Sequence, residues 1–144
     1  MDSFSKEKRS QIMSNVKSKN TTPELIVRRL LHRMGYRFRL HRPDLPGKPD
    51  IVLPKYKKVI FINGCFWHGH ENCKKSQLPK TNREFWQSKI RKNKSRDEKS
   101  INKLLEMGWQ CLVIWDCQIK KKDIEKLVII LEGFMKGEMD YDNI

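Results

Sequence analysis

The sequence has no long hydrophobic run. No apolar stretch approaches the roughly 20 residues that a membrane-spanning helix requires, and the N-terminal MDSFSKEKRS lacks the apolar centre of a signal peptide. These absences predict a cytoplasmic protein with no membrane association. Hydrophobic residues make up 38% of the 144 residues, which is enough for one core and one compact domain.

Acidic residues are few. The chain has 17 of them against 31 lysines and arginines, which gives a formal net charge of +14 and a pI of about 9.8. An excess of this size exceeds what solubility requires and favours a polyanionic partner. Ribosomal proteins and membrane-surface binders share this bias, but here the basic residues are spread over periodic segments, which favours nucleic acid and a nucleoid-associated protein.

Cysteines are limited to four, and in a reducing compartment they are better suited to a metal than to disulfides. Cys65, His70 and Cys73 have the spacing C-x4-H-x2-C, and Cys117 follows an apolar strand. This set predicts a closed structural zinc site with three cysteines and one histidine. The alternative is that they are ordinary buried cysteines, which is the expectation for Cys111 inside the strand.

A second histidine, His68, competes with His70 for the fourth zinc position. If His70 binds zinc, His68 is free for chemistry. Imidazole exchanges a proton near neutral pH, which suits a general base.

Hydrophobic periodicity predicts an α/β domain in which helices flank a mixed sheet. Residues 1–20 are expected to form an arm, 21–136 the domain and 137–144 a flexible tail. Capping boxes are predicted at Thr21/Glu24 and Thr81/Glu84. The predicted helices are 21–34, 81–107, with a possible break at 92–95, and 122–135; the predicted strands are 36–40, 50–53, 59–62 and 109–115.

Asp50 follows a proline at the start of a predicted strand. The metal-dependent nucleases of the PD…(D/E)xK pattern place an aspartate there, because Mg²⁺ needs a carboxylate oxygen. The (D/E)xK half is missing from the next strand, VIFING. The remaining ligands would then be a backbone carbonyl, Glu24 or histidine. A lone Pro-Asp pair is more often a turn.

Four sequence motifs follow one another along the chain: LPGKPDIV, IFINGCFWHGH, TNREFWQSKIRKNKSRD and GWQCLVIWDC. Together they resemble the very short patch repair (Vsr) family of DNA mismatch endonucleases, from about residue 10 to residue 117. The resemblance implies a fold related to type II restriction endonucleases. It also implies an Mg²⁺-dependent nick on the 5′ side of the thymine in a T:G mismatch, which arises when 5-methylcytosine is deaminated. A cytosine-5 methyltransferase and mismatch-repair proteins would be functional partners.

The resemblance also assigns roles to individual residues. Asp50 matches the catalytic aspartate that binds Mg²⁺, and the carbonyl of Ile62 matches its second direct contact. Glu24 and Asp97 match carboxylates around the water shell of the metal, and His68 matches a histidine that activates or positions water. Cys65, His70, Cys73 and Cys117 fall on the zinc ligands of the family.

Two departures from the family pattern stand out. Asn63 replaces a histidine that often precedes the Gly-Cys step, and an amide cannot act as a base near neutral pH. Relative to GHDC-like versions, the loop has one extra residue between His70 and Cys73, at Glu71 and Asn72. We expect the first change to put more of the chemistry on His68 and the second to loosen the zinc geometry.

Phe66 and Trp67 lie between the predicted zinc ligands. The resemblance assigns them, with Met13 from the arm, to a wedge that enters the base stack at the mismatch. It also places Lys89 and Asn93 at the mispair. The alternatives are simple core packing for the two aromatic residues and an ordinary solvated helix face for Lys89 and Asn93.

Three functions are therefore compared: a mismatch nicking enzyme, a restriction-type nuclease that cuts matched DNA, and a non-catalytic zinc module that binds DNA. The wedge favours the first over the second. Asp50, Glu24 and His68 favour an enzyme over a binding module. The small size and asymmetric task predict a monomer.

Overall fold

The computed structural model describes residues 21–137 of the chain. The predicted arm, with Met13, and residues 138–144 lie outside them. The described part contains three α-helices and four strands, together with short 3-10 turns. They are α1 (Thr22–Arg33), β1 (Arg39–Leu40), β2 (Ile51–Leu53), β3 (Lys58–Asn63), α2 (Arg83–Glu106), β4 (Gln110–Trp115) and α3 (Ile124–Lys136).

The four strands form one mixed sheet in the order β1-β2-β3-β4. β2 pairs antiparallel with β1 and β3, whereas β3 and β4 are parallel and are joined by a crossover through α2. Parallel neighbours need such a crossover because a tight hairpin can only reverse the chain. The mixed α/β sheet flanked by helices agrees with the sequence prediction.

Alternate residues of the strands face opposite layers. Ile51 and Leu53 pack with Ile60 and Leu112 against apolar residues of α1 and α3, while Val52 faces the other way. That second layer is formed with α2, whose Leu104 is fully buried. The sheet therefore lies between two helical layers, and the ends of its central strands remain accessible at one edge.

The edge strand is shorter than predicted. Only Arg39 and Leu40 form strand β1, and both are exposed, while Tyr36 and Phe38 are half-buried against the core without strand pairing. Apolar residues alternate with basic ones over 36–41, which predicts one buried and one basic face; this holds for Tyr36 and Phe38 but fails at Leu40. An edge strand has a neighbour on one side only, so few pairs are available to extend it.

Neither predicted capping box forms. Thr21 is the N-cap of α1 and Asn82, not Thr81, is the N-cap of α2, and neither makes a side-chain cap hydrogen bond. Glu24 instead accepts hydrogen bonds from side chains outside the first turn. The possible break at 92–95 is also wrong, because α2 runs unbroken for 24 residues.

The sequence predicts a basic turn at 55–58 whose lysines contact phosphate or only aid solubility, but Lys58 is buried in the structure. It is 7% exposed, and its Nζ donates to the carbonyls of Phe134 and Met135 at the end of α3. Burial lowers the pKa of Lys58, and a cation at a helix C-terminus offsets that cost. Lys58 therefore ties β3 to α3 and is not a phosphate contact. None of the helices in residues 21–137 is long and apolar enough to cross a membrane.

Candidate active site and metal centre

One pocket of about 760 Å³ collects the predicted catalytic residues. It opens where α1, the start of β2, the end of β3 and the middle of α2 meet. Gly47, at φ +74°, carries the chain into this corner, and a Cβ there would lie 2.8 Å from Cβ of Ser100 on α2. The structure thus brings the sequence-predicted set to a single cavity: Glu24, Asp50, Ile62, His68 and Asp97 all line it.

Asp50 is fixed by the neighbouring strand. The backbone N–H of Ile62 donates to Asp50 Oδ2 at 2.7 Å. Both the N–H and the C=O of a strand residue face the same neighbouring strand, so the Ile62 carbonyl lies on the side of Asp50. The pKa of Asp50 is raised to about 6, mainly by burial and also by the charge of Glu24, against the lowering effect of the Ile62 hydrogen bond. A buried carboxylate beside a second carboxylate is a suitable setting for a cation.

His41 joins the two carboxylates, a role that the sequence did not indicate. Its Nε2 lies 3.0 Å from Glu24 Oε2 and 3.9 Å from Asp50 Oδ1. Leu40 pairs with Ile51, and the His41 N–H donates to the Asp50 carbonyl, so the β1–β2 register sets His41 beside Asp50. The sequence did not reveal this contact, because strand pairing brings together two residues that are nine positions apart.

Glu24 is held from a second direction by its own helix. Arg28 Nη2 donates to Glu24 Oε2 at 3.0 Å across one helical turn. Glu24 is only 3% exposed, and a buried carboxylate needs such partners. Ligand atoms of Glu24, His41 and Asp50 all lie within 4.8 Å of one another. Carboxylate oxygens with a neighbouring imidazole are a donor set that fits a divalent cation.

His68 and Asp97 form the second half of the pocket. His68 Nδ1 donates to Asp97 Oδ2 at 2.5 Å, and both side chains are about 30% exposed. A carboxylate on Nδ1 fixes the ring orientation and directs Nε2 to whatever occupies the cavity. This pair has the arrangement of an oriented general base. Asp97 contacts His68 in addition to lining the cavity that holds Asp50.

The four predicted zinc ligands meet in a second cluster. One donor atom from each of Cys65, His70, Cys73 and Cys117 lies within 4.8 Å of all the others. A tetrahedron with Zn–S bonds of about 2.3 Å places neighbouring sulfurs about 3.8 Å apart. The donor set and its spacing therefore fit a closed tetrahedral metal site, and zinc is the ion such a set favours.

The sheet register explains this convergence. Asn63 pairs with Trp115 across the parallel strands β3 and β4, so Cys65 and Cys117 each follow two residues beyond a paired position. The His70 ring stacks on Trp115 at 4.2 Å between centroids and 10° between planes. Stacking on Trp115 fixes the imidazole plane, a contribution that sequence reasoning missed.

The extra residue in the loop does not separate the ligands. Asn72 adopts a left-handed conformation at φ +57°, which asparagine tolerates better than most residues. Burial raises the pKa of the Cys65 thiol, and its hydrogen bond to Asp116 adds to the effect. A bound cation would counter this effect and favour the thiolate, because a thiol must lose its proton to bind a metal.

The loop between the zinc ligands carries aromatic rings at the mouth of the pocket. Trp67 is 48% exposed and lines the cavity, whereas Phe66 is half-buried. Phe66, Trp67 and Trp86 make edge contacts at 5.4, 5.5 and 5.7 Å between centroids. Simple core packing therefore does not describe Trp67, whose indole is held at the surface by neighbouring rings. The sequence analysis did not single out Trp86.

Two polar residues of α2 contact this loop. Asn93 Nδ2 donates to the Trp67 carbonyl at 2.9 Å, and Lys89 Nζ lies 6.0 Å from the Trp67 ring centroid. Gly69, at φ +62°, allows the close approach, because a Cβ there would lie 2.6 Å from a methyl of Ile90. Lys89 and Asn93 are thus part of the same surface as Trp67.

Comparison with known proteins agrees with the Vsr resemblance of the sequence. The family model for the DNA mismatch endonuclease Vsr matches residues 1–75. The DNA mismatch endonuclease Vsr of Escherichia coli is 39% identical over 140 residues, which cover 95% of this chain and 89% of the relative. The chain belongs to the Vsr family of DNA mismatch endonucleases. It is therefore a nuclease that hydrolyses phosphodiester bonds in DNA.

Other relatives of this Vsr-family chain are nicking enzymes. The type II nicking enzyme V.XorIIP of Xanthomonas oryzae is 51% identical over 82% of this chain and 86% of its own length. The type II nicking enzyme V.NmeAIP of Neisseria meningitidis is 47% identical over 85% of this chain and 87% of its own length.

The fold also has a structural neighbour outside these relatives. The catalytic domain of the homing endonuclease I-Bth0305I superposes with a TM-score of 0.56 at 22% identity, over 84% of this chain and all of that domain. This similarity confirms the restriction-endonuclease-like fold that the sequence predicted.

Proposed function

We propose that this Vsr-family endonuclease nicks one strand of duplex DNA on the 5′ side of the thymine in a T:G mismatch, in an Mg²⁺-dependent reaction. One observation carries the proposal: a single cavity contains the Glu24–Asp50 carboxylates, the His68–Asp97 pair and the exposed ring of Trp67. The first set suits a cation, the second suits water activation, and the third suits contact with an unstacked base. Their proximity couples recognition to cutting.

Asp50 and the carbonyl of Ile62 would hold Mg²⁺, with Glu24 and Asp97 around its water shell. When bound, Mg²⁺ would supply Lewis-acid polarisation of the scissile phosphate. Asp50 is suited to this role because the Ile62 N–H fixes one of its oxygens. The other oxygen, Oδ1, is the one nearest His41, on the side of the cation cluster.

His68 would supply the base. With Nδ1 engaged by Asp97, Nε2 can take a proton from a water molecule as its oxygen attacks phosphorus and the P–O bond to the leaving oxygen breaks. Asn63 is buried at the cavity wall and its amide cannot accept that proton. The proposal therefore assigns water activation to His68 alone.

Phe66 and Trp67 would enter the base stack at the mismatch, with Met13 of the arm approaching from the other groove. A mismatched step costs less to unstack than a matched one, so an apolar wedge discriminates through deformation. Trp67 is already exposed and is braced by Trp86. Lys89 and Asn93 flank its ring and carbonyl, and they would contact the mispair itself.

A basic groove beside the pocket would hold the DNA backbone. It has a volume of about 480 Å³ and lies between the loop at Pro46 and Gly47 and the face of α2. Four cationic side chains of α2 line it: Lys92, Arg96, Lys99 and Lys103. Phosphate contacts of this kind position a duplex without reading its sequence.

The family suggests a biological setting. We propose that the chain acts as a monomer, in the cytoplasm on the nucleoid, on mismatches that arise when 5-methylcytosine is deaminated. A cytosine-5 methyltransferase would create the substrate, and mismatch-repair proteins would act alongside. Zinc is proposed as the ion of the Cys65–His70–Cys73–Cys117 cluster.

The test is cleavage of paired duplexes that differ only in one T:G mismatch, with and without Mg²⁺. We expect a nick in the T-containing strand of the mismatched duplex alone, and its loss in the Asp50→Ala variant. Equal cutting of both duplexes would favour a restriction-type nuclease. Undiminished cleavage by Asp50→Ala would contradict the assignment of that residue, and DNA binding without any cleavage would favour a zinc binding module.

A further inference from the structure

The position of His41 carries an inference beyond these roles. His41 directly follows β1, its Nε2 faces Glu24 and Asp50, and its side chain is 22% exposed. It contacts both carboxylates of the cation cluster, although no mechanistic role has been given to it above. The question is whether His41 is a hydrogen-bonding neighbour or a ligand.

The distances match those of ligands that share one metal ion. Two ligands at about 2.1 Å from a metal and at right angles to each other are about 3.0 Å apart. Nε2 of His41 is 3.0 Å from Glu24 Oε2 and 3.9 Å from Asp50 Oδ1. The Nε2–Oδ1 separation lies within the span of two ligands of one small cation, and the donor atoms of Glu24, His41 and Asp50 all lie within 4.8 Å of one another.

The surrounding structure holds these donors in place. Arg28 fixes Glu24 and the Ile62 N–H fixes Asp50, while β1–β2 pairing sets His41 opposite Asp50. Asn63, where the family often has a histidine, is 7% exposed and offers an amide. His41 is therefore the imidazole that the described structure places beside both carboxylates.

A nitrogen ligand alters the preference for the metal. Mg²⁺ takes oxygen ligands and keeps much of its water, whereas first-row transition-metal ions accept imidazole readily. We propose that His41 is a direct ligand of the Asp50 metal site, so that this site binds transition-metal ions such as Mn²⁺ more tightly than Mg²⁺. The inference rests on the proposed function in that it takes Asp50 as a cation ligand. On binding, Nε2 presents its lone pair and the ring proton resides on Nδ1.

The experiment measures Mn²⁺ bound to zinc-loaded protein without DNA. Electron spin echo envelope modulation detects a nitrogen coordinated to Mn²⁺, and the free Mn²⁺ signal gives the affinity. We expect nitrogen modulation in the wild type and its loss in His41→Gln, whose amide retains a hydrogen-bonding group for Glu24. Mn²⁺ affinity should fall about tenfold or more, whereas Mg²⁺ affinity should change much less.

The chain has four histidines, which provides matched controls. His32→Gln removes an exposed imidazole of α1 outside the cluster, and His68→Gln removes the imidazole that lines the pocket. Nitrogen modulation should persist in both variants. With His70 bound to zinc, persistence in both would identify His41 even if His41→Gln did not fold.

Three outcomes would overturn the inference. Mn²⁺ bound through Asp50 without nitrogen modulation would show that His41 is not a ligand and would leave the proposed metal role of Asp50 intact. Modulation lost in His68→Gln would assign the nitrogen to His68. Mn²⁺ binding that Asp50→Ala leaves unchanged would contradict both this inference and the role of Asp50 in the proposed function.

Discussion

The two candidate metal clusters of this chain differ in ligands, exposure and construction. The Cys65–His70–Cys73–Cys117 cluster is rich in sulfur, and three of its ligands come from one loop. The Glu24–His41–Asp50 cluster is rich in oxygen: Glu24 lies on α1, His41 follows β1 and Asp50 precedes β2, and the two carboxylates line a cavity. A closed tetrahedron leaves no position for substrate, whereas an oxygen-rich site beside a cavity does.

The loop between Cys65 and His70 connects these clusters functionally. It contains Phe66, Trp67 and His68, so both ends of the segment that carries the proposed wedge and the proposed base are candidate metal ligands. A metal in the first cluster would therefore position groups that are proposed to act at the second. We therefore expect that damage to the sulfur cluster lowers stability and activity together, while damage to the oxygen cluster lowers activity without lowering stability.

The largest effect is expected at the sulfur cluster. Cys117→Ser should abolish stoichiometric zinc, lower the free energy of unfolding by about 3 kcal/mol or more, and abolish cleavage, because zinc binding free energy is folding free energy. Metal analysis, denaturant unfolding and the nicking assay measure the three quantities.

Cys111→Ser is the matched control for that variant. Cys111 lies on β4, is 5% exposed and is not part of the cluster. Its serine variant should keep a full equivalent of zinc and its nicking activity despite some loss of stability. Retention of tightly bound zinc by Cys117→Ser would contradict the assigned ligand set.

An intermediate effect is expected at the wedge. Trp67→Ala should reduce the preference for a T:G duplex over a matched one by about tenfold to 100-fold, since losing one base–aromatic stack costs about 1–3 kcal/mol. Zinc content should not change. The measurement is the ratio of nicking rates on the two duplexes.

Ile129→Ala is a useful comparison for Trp67→Ala. Ile129 is a 67% exposed apolar residue on α3 and does not line the pocket. Its removal should leave the discrimination ratio unchanged. An unchanged ratio in Trp67→Ala as well would mean that the exposed indole does not read the mismatch.

The sequence predicted the sulfur cluster better than the oxygen cluster, and the reason is physical. Cys65, His70 and Cys73 lie within nine residues, so their spacing is a local signal. His41 reaches Asp50 only through strand register, which no local pattern encodes. The Vsr resemblance indicated Asp50, Glu24 and Asp97 together, although no spacing links them.

Errors in the fold prediction have a similar origin. The capping box at Thr21 was wrong because Glu24 bonds to Arg28 and His41 instead of turning back to the helix N-terminus. Lys58 resembled a surface lysine because the carbonyls that it meets belong to a helix 76 residues away. In both cases a tertiary partner outweighed a valid local preference.

The smallest predicted effect is a gain in stability at the oxygen cluster. Burial raises the pKa of Asp50 to about 6, from 3.8, so the ionised carboxylate destabilises the fold when no cation is bound. The protonated carboxyl has no such cost, so the contribution of Asp50 to stability is complete below pH 3.8 and is lost as the pH rises through about 6. Asp50→Asn should therefore raise the free energy of unfolding of zinc-loaded, Mg²⁺-free protein by about 1–2 kcal/mol at neutral pH. The gain should vanish in acid.

Added Mg²⁺ should make the wild type more stable than Asp50→Asn, because a cation that binds the native state stabilises the wild type and not the variant. Thermal unfolding of both proteins, with and without Mg²⁺ and across this pH range, provides the measurement. An Asn variant that is less stable than the wild type without Mg²⁺ would contradict the idea that this cluster is strained until a cation binds. The two clusters would then no longer differ in their main expected property, which is that the sulfur cluster stabilises the fold whereas the oxygen cluster destabilises it until a catalytic ion binds.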